Sequence, residues 1–167
     1  MKRTRGFTLI EMVMAIAILA ASTLAASSML INGVETYGRV TERRQALRSG
    51  RFALMVLRNQ LEIIASPSTD ILSMSSNGIT FSLGGVNTTY NIFDQQLTKN
   101  GNLLAAKLTN NSGFSYLDAA GNSTNSVSNV ASIKIVLEVD TGVGNWGKAH
   151  LVDRIYLRNR YYHALSD

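Results

Sequence analysis

The sequence predicts an α+β fold: a long N-terminal α-helix, its first half transmembrane, packed on an antiparallel β-sheet head. Three observations carry that expectation. Residues 12–31 hold no charge, residues 7–66 hold no proline, and beyond Pro67, the single proline, the apolar residues change from a helical to an alternating period.

The apolar run comes first. At about 1.5 Å per residue, roughly 20 residues of helix cover about 30 Å, the thickness of a hydrocarbon core. Lys2, Arg3 and Arg5 precede it, so the positive-inside tendency places residues 1–6 in the cytoplasm and the remainder outside it. Glu11 stands near the start of this run. An ionisable side chain inside a membrane helix costs about 2.5–3.5 kcal/mol on insertion scales, and less near the interface. A carboxylate that merely snorkels to the headgroups is the plain reading. An ordinary secretory signal is another, with small residues at 20–22 or 23–25 offering a cleavage site. That second reading leaves Glu11 without a purpose.

The residues "RGFTLIE", 5–11, resemble the prepilin motif of type IV pilins and type II secretion pseudopilins. The resemblance implies cutting by a dedicated peptidase after Gly6 and methylation of the new amino terminus at Phe7, with the apolar helix left attached. It also implies a role for Glu11: the carboxylate pairs with the amine of a neighbouring subunit, so that charge neutralisation sets registry in a filament. An amine and a carboxylate that meet in lipid reduce the cost of holding either there.

Residues 32–66 read as an amphipathic helix, because Val34, Tyr37, Leu47, Leu54, Leu57, Leu61 and Ile64 recur at threes, fours and sevens. An uninterrupted helix over 7–66 would extend about 90 Å. Gly33 and Gly38 are the places where it would bend most easily. Many major pilins carry a helix-breaking proline inside the apolar segment; this chain has Ser, Thr and Ala there. The same segment bears Arg39, Arg43, Arg44, Arg48, Arg51 and Arg58 against Glu35, Glu42 and Glu62. Those arginines fit either a solvated face or a contact with acidic groups of neighbouring subunits.

Beyond Pro67, residues 78–84, 88–93, 102–108, 131–139 and 150–159 are strand candidates separated by Gly, Asn and Ser clusters. Ile133, Ile135, Leu137 and Val139 alternate with Ser132, Lys134, Val136 and Glu138, the pattern of a half-buried strand. In the last run Leu151, Ile155 and Leu157 share parity with Asp153, which leaves the register open. The segments "QQLTKNGNLLA", "FSYLDAAGNST", "VASIKIVLEV" and "RIYLRN" follow an order similar to that of minor pilins and J-type minor pseudopilins. The expected division is a leader at 1–6, a transmembrane and assembly helix at 7–31, an amphipathic helix at 32–66 and a β-rich head at 67–167.

Composition narrows the function. The net charge of +5 owes three cations to the leader, Lys2, Arg3 and Arg5, so a broad nucleic-acid surface is not indicated. "RNRYYH" at 158–163 interleaves basic and aromatic residues, as single-strand binders do, but a strand running into a tail that covers the sheet edge is the preferred reading. The chain has no Cys, which removes disulfides, thiolate nucleophiles and cysteine metal sites. His150 and His163 are the only histidines, and no catalytic motif accompanies them. Residues 118–125, "DAAGNSTN", offer oxygen ligands but a single carboxylate, so a polar turn is preferred to a calcium site.

Three classes of function are therefore weighed: a filament subunit, a membrane-anchored or secreted periplasmic binding domain with an ordinary signal peptide, and an enzyme. The first accounts for Gly6, Phe7 and Glu11 together. The resemblance then implies a minor pilin or pseudopilin, not an enzyme. It would be single-pass in the bacterial inner membrane with a periplasmic C-terminal domain before joining a pilus or pseudopilus. Its expected partners are other pilin-like subunits, the prepilin peptidase/methyltransferase, the inner-membrane assembly platform and the inner membrane itself. No cofactor, metal or nucleic-acid partner is expected.

Overall fold

The computed structural model describes residues 8–142 and 147–157. The chain divides into two compact units, Met1–Thr41 and Glu42–Asp167, and helix α1, Leu9–Leu61, contributes to both. The described residues of the first unit are exposed, and α1 is long and apolar enough to cross a membrane. Its hydroxyls are satisfied within the helix itself. Ser22 donates to the Ile18 carbonyl at 2.8 Å, Ser27 to Thr23 at 2.8 Å, Ser28 to Ala25 at 2.8 Å and Thr36 to Asn32 at 2.7 Å. Thr23 donates to Leu19 in the same manner. Hydrocarbon offers no water to a hydroxyl, so this back-bonding lets polar residues sit in an apolar segment. Gly33 and Gly38 lie inside the helix, with no atom near the place a side chain would occupy.

Helix α1 stops at Leu61, short of the expected end at residue 66. The Ile64 N–H donates to the Leu61 carbonyl at 3.2 Å, and the Asp70 carboxylate accepts the Ala65 and Ser66 N–H groups, each at 2.9 Å. Those amides are thereby lost to the helix ladder. Pro67 reinforces the stop, because a residue before proline is pushed out of the helical region, and Ser66 is extended. A one-turn helix α2, Pro67–Asp70, follows.

The second unit carries two antiparallel sheets. Strands β1 (Ile71–Ser75), β2 (Gly78–Leu83), β3 (Val86–Phe93), β4 (Gln96–Lys99) and β5 (Asn102–Ala105) form a meander in chain order. Strands β6 (Gly113–Leu117), β7 (Ser132–Asp140) and β8 (Lys148–Tyr156) form the other. Three hairpins of the meander close on two residues with positive φ: Gly84 and Gly85, Asp94 and Gln95, Asn100 and Gly101. This geometry suits the right-handed twist of the flanking strands. The sequence reading missed β1, β4 and β6 and ran β5 on to residue 108. Lys107, at φ 59, ends that strand early, although Leu108 still bridges Val139.

The sheets are joined directly. The Phe114 N–H donates to the Ser76 carbonyl at 2.8 Å, and the Tyr116 hydroxyl donates to the Gly78 carbonyl at 2.6 Å. Burial raises the Tyr116 hydroxyl far above its ordinary pKa, so it remains a donor at every physiological pH. Tyr90 stacks on Phe81 with centroids 6.1 Å apart and donates to Gln60 Oε1 of α1 at 2.7 Å. Burial pushes its hydroxyl up to about 12.

The expected helix face holds at its C-terminal end, where Leu57, Leu61 and Ile64 are fully buried and Leu54 packs against the core, but not at its start. Val34 and Tyr37 are 72% and 76% exposed, whereas the buried stripe of α1 is Ala46, Gly50, Ala53, Leu57 and Leu61. Three of these five residues are small because α1 approaches the second sheet closely. A Cβ on Gly50 would lie 2.7 Å from Leu151 Cδ1 and 3.2 Å from Val139 Cγ2. The register of β8 is also settled: Asp153 turns toward the helix and accepts from Arg58, with Nε 2.9 Å from Oδ2 and Nη2 on Oδ1. Asp153 raises the pKa of Arg58 through that hydrogen bond and its charge. The apparent misfit of a carboxylate among Leu151 and Ile155 is thus a two-point ion pair.

Glu138 departs from its pattern as well. Its alternation places it on the outer face of β7, yet it is only 2% exposed, because residues 109–112 close over it. Thr109 Oγ1 donates to the carboxylate at 2.8 Å, Asn111 Nδ2 at 3.2 Å, Lys148 Nζ lies at 3.3 Å and His150 Nε2 at 3.2 Å. Ser112 Oγ accepts the Glu138 N–H at 2.9 Å and donates to its carbonyl at 3.2 Å. The Thr109 hydroxyl foremost, with Asn111 and Lys148, holds the carboxyl below its ordinary pKa despite burial.

Two outcomes are expected for protein unfolded by urea in detergent and followed by circular dichroism. Gly50→Leu should destabilise the head by about 2 kcal/mol through overpacking, while Gly50→Ala should change it far less, since only the end of the Leu151 side chain and, by a few tenths of an ångström, a Val139 methyl must yield and helix propensity improves. An unchanged midpoint for the Leu variant would contradict the close approach. For Glu138, a lowered folded-state pKa means a contribution that is present above the unfolded pKa and lost as pH falls through the folded one. The stability gap between the native chain and Glu138→Gln should therefore narrow between neutral pH and pH of about 3; a gap independent of pH would show that the charge is not what Thr109 and Asn111 stabilise.

Candidate functional site

The first turn of α1 is the site on which the sequence reading converged. Thr8 precedes the helix and Glu11 is its third residue. The Thr8 N–H donates to Glu11 Oε2 at 3.2 Å, the Thr8 hydroxyl donates to the same oxygen at 3.3 Å, and the Glu11 N–H donates to Thr8 Oγ1 at 3.3 Å. This reciprocal pairing is a capping box, which satisfies backbone donors that a helix start leaves open. The carboxylate also lies at the positive end of the helix dipole. Glu11 is therefore held in place by its own backbone, while Oε1 has no hydrogen bond among the described residues.

Thr8 is the residue whose role the sequence reading missed, although the signal was present: a threonine three positions before a glutamate, ahead of an apolar run, is the sequence signature of that box. Gly6 and Phe7 lie outside the described residues. The structure thus brings Thr8 and Glu11 together and leaves the other two positions to chemistry.

The arginines separate into two sets. Arg58 is committed to Asp153 within the head, and Arg39 sits 3.6 Å from Glu35 one turn earlier on its own helix. Arg43, Arg44, Arg48 and Arg51 are exposed and make no ion pair among the described residues. Lys107 reaches Glu42 at 3.1 Å across a shallow groove lined by Ala46, Ser49, Leu103 and Leu104.

The remaining candidates are structural in geometry. Asp118 Oδ1 accepts the Asn122 N–H at 2.8 Å, so the carboxylate of the 118–125 segment caps its own turn. No group of three or more His, Cys, Asp or Glu that would hold a metal occurs among the described residues. His150 is exposed and leans on Glu138, and it faces away from Asp153, which meets Arg58. His163 and the whole 158–163 stretch lie outside the described residues.

Residues 1–27 match the family model described as the prokaryotic N-terminal methylation motif. No curated protein and no solved structure matches the chain. The motif is that of structural subunits that are processed by a prepilin peptidase and assemble with other pilins, and the apolar helix fits membrane anchoring. The motif over residues 1–27 supports a type IV pilin-like prepilin, and the long N-terminal helix packed on antiparallel sheets is consistent with the type IV pilin fold.

Proposed function

We propose that this protein is a minor pilin or pseudopilin subunit of a type IV pilus or type II secretion pseudopilus, serving filament initiation, adhesion, motility or protein secretion. The observation that supports the reading most is the methylation motif over residues 1–27, within which Glu11 is held in the first turn of α1. In this reading residues 1–6 are a leader removed after Gly6, and Phe7 becomes the N-methylated first residue. Residues 7–31 anchor the chain in the bacterial inner membrane, and residues 32–66 carry the amphipathic helix into a periplasmic head at 67–167. Its partners are the peptidase/methyltransferase, the assembly platform and other pilin-like subunits.

Glu11 is the registry charge. In the free subunit the Thr8 N–H and hydroxyl share one carboxylate oxygen, which lowers the cost of keeping the charge near lipid. The other oxygen is available to the Phe7 amine of a subunit already in the filament. An incoming chain set one turn too high or low would leave both charges unpaired in an apolar environment, at several kcal/mol before relaxation. Registry follows from that penalty.

Processing and registry are tested separately. Gly6→Val should insert but remain uncut, because a β-branched side chain obstructs the scissile bond while hardly altering hydropathy; mature-sized chain in that variant would remove the prepilin assignment. In the native protein, intact mass and N-terminal sequencing should give methylated Phe7, whereas a start near residues 23–27 would mark an ordinary signal peptide. For Glu11 the informative pair is Ala and Gln. Glutamine keeps the capping box but cannot neutralise an amine, so both variants should be processed normally and both should fail to join filaments or crosslink to other subunits. Normal incorporation of Glu11→Gln would reduce Glu11 to a helix cap.

A further inference from the structure

Two adjoining cavities open where the β3–β4 turn meets the loop that closes over Glu138. One, of about 260 Å³, is lined by Asn77, Phe93, Asp94 and Ser112 among others; the second, of about 390 Å³, includes Asn111, Asp140 and Lys148. Gln95, Thr109 and Asn110 belong to both, so the two form one polar cleft. Its back wall is fixed, because Thr109 and Asn111 are both tied to the buried Glu138 carboxylate. Its front is not: the side chains of Asp94, Gln95 and Asn110 make no hydrogen bond among the described residues.

The turn that supplies two of those side chains is held at a cost. Asp94 has φ 47 and Gln95 φ 58, a left-handed conformation that Asp tolerates but that is uncommon for a side chain as long as that of Gln95. The two neighbouring hairpins meet the same requirement with at least one glycine each. Here, both positions keep a polar side chain, and both point of contact and strain coincide with the cleft. Immediately before the turn Phe93 is 76% exposed and lines the same cavity. A phenyl ring in water beside a carboxylate and free amides is not explained by packing, since alternate residues Thr88, Tyr90 and Ile92 supply the buried side of β3.

The chemistry of the walls selects a ligand. Lys148 is drawn to Glu138 at 3.3 Å, which leaves Asp94 and Asp140 as the net charge and excludes phosphate and other anions. The lining is too polar for a lipid. Amides and carboxylates together match groups that both donate and accept, which is the property of a hydroxyl. The phenyl face offers an apolar platform for a flat array of C–H bonds. One ligand class presents hydroxyl edges and C–H faces at once, and we infer that the cleft between the Asp94–Gln95 turn and the 108–112 loop binds neutral saccharides. The inference rests on the head alone and holds whether or not the chain assembles into a filament.

Saturation-transfer NMR on the full chain, held in a detergent without a sugar headgroup, tests it with maltose, lactose and N,N′-diacetylchitobiose as probes. At least one should take up saturation at its ring protons and bind with a millimolar dissociation constant. Phe93→Ala and Asp94→Ala, both at exposed positions, should each weaken that binding about five- to tenfold with unchanged circular dichroism. Phe52→Ala removes an exposed ring from the helix and should leave binding as it was. Gln95→Gly should raise the unfolding midpoint by relieving the turn while weakening saccharide binding, a split that a purely structural role for Gln95 would not produce. Absence of saturation transfer to all three probes, or binding that Phe93→Ala and Asp94→Ala leave intact, would overturn the inference.

Discussion

One helix has to be stable in two surroundings, and much of the structure follows from that constraint. In residues 9–41 every side chain faces outward, so polar groups must be satisfied along the helix itself. The hydroxyls of Ser22, Thr23, Ser27 and Ser28 bond one turn back, and Glu11 folds onto Thr8. In residues 42–61 the requirement reverses, because one stripe must lose its water against a sheet. There the close approach at Gly50 fixes Leu151 and Val139, and the Arg58–Asp153 pair fixes the alignment of β8. An ion pair at such a boundary specifies register more than it adds stability, since desolvation offsets much of its attraction.

Legibility in the sequence tracks the range of the forces involved. The apolar segment, its lack of proline and the "RGFTLIE" start depend on neighbours within a turn or two, and all were readable. So were β2 and β3 on either side of Gly84 and Gly85, and the start of β5 after the Asn100–Gly101 pair, whose turns announce themselves. The Asp94–Gln95 turn was not readable, because Asp tolerates a left-handed conformation without requiring it and Gln does not signal one. Strands β1, β4 and β6 were hidden for a related reason: they run four or five residues, too short for a period to register against background.

The start of the helix face was misjudged by a different route, while its end at Leu57, Leu61 and Ile64 was read correctly. Large apolar residues defined the expected stripe, and Val34 and Tyr37 are large; but a close helix–sheet contact is made by small ones, and Ala46, Gly50 and Ala53 carry little weight in a hydrophobic pattern. Glu138 shows the same limit from the polar side. Its parity on β7 was correctly outward, and only the long-range closure of Thr109, Asn111 and Ser112 over it turned an outer position into a buried one. Asp153 completes the set, since nothing local says that an acid on the inner face of β8 will meet an arginine ninety-five positions earlier.

The arginine-rich segment gains definition once Arg58 and Arg39 are assigned to partners of their own. What remains is Arg43, Arg44, Arg48 and Arg51, exposed beside Phe52 and Met55. The acids of the same chain offer them little. Glu42 holds Lys107, Asp70 caps the chain after α1, Asp118 and Asp140 cap turns, and Glu138 and Asp153 are enclosed in the head. Among the described residues, a second copy of this chain would therefore present chiefly Glu62 and Asp94 to four guanidinium groups. Exposed ion pairs contribute only about 0–1 kcal/mol each and are screened by salt, so facing an acidic surface such a stripe would act on the orientation and speed of encounter rather than on the strength of the final contact. Tight association in an apolar setting requires the opposite arrangement, a single charge with one addressable partner, which is the role proposed for Glu11.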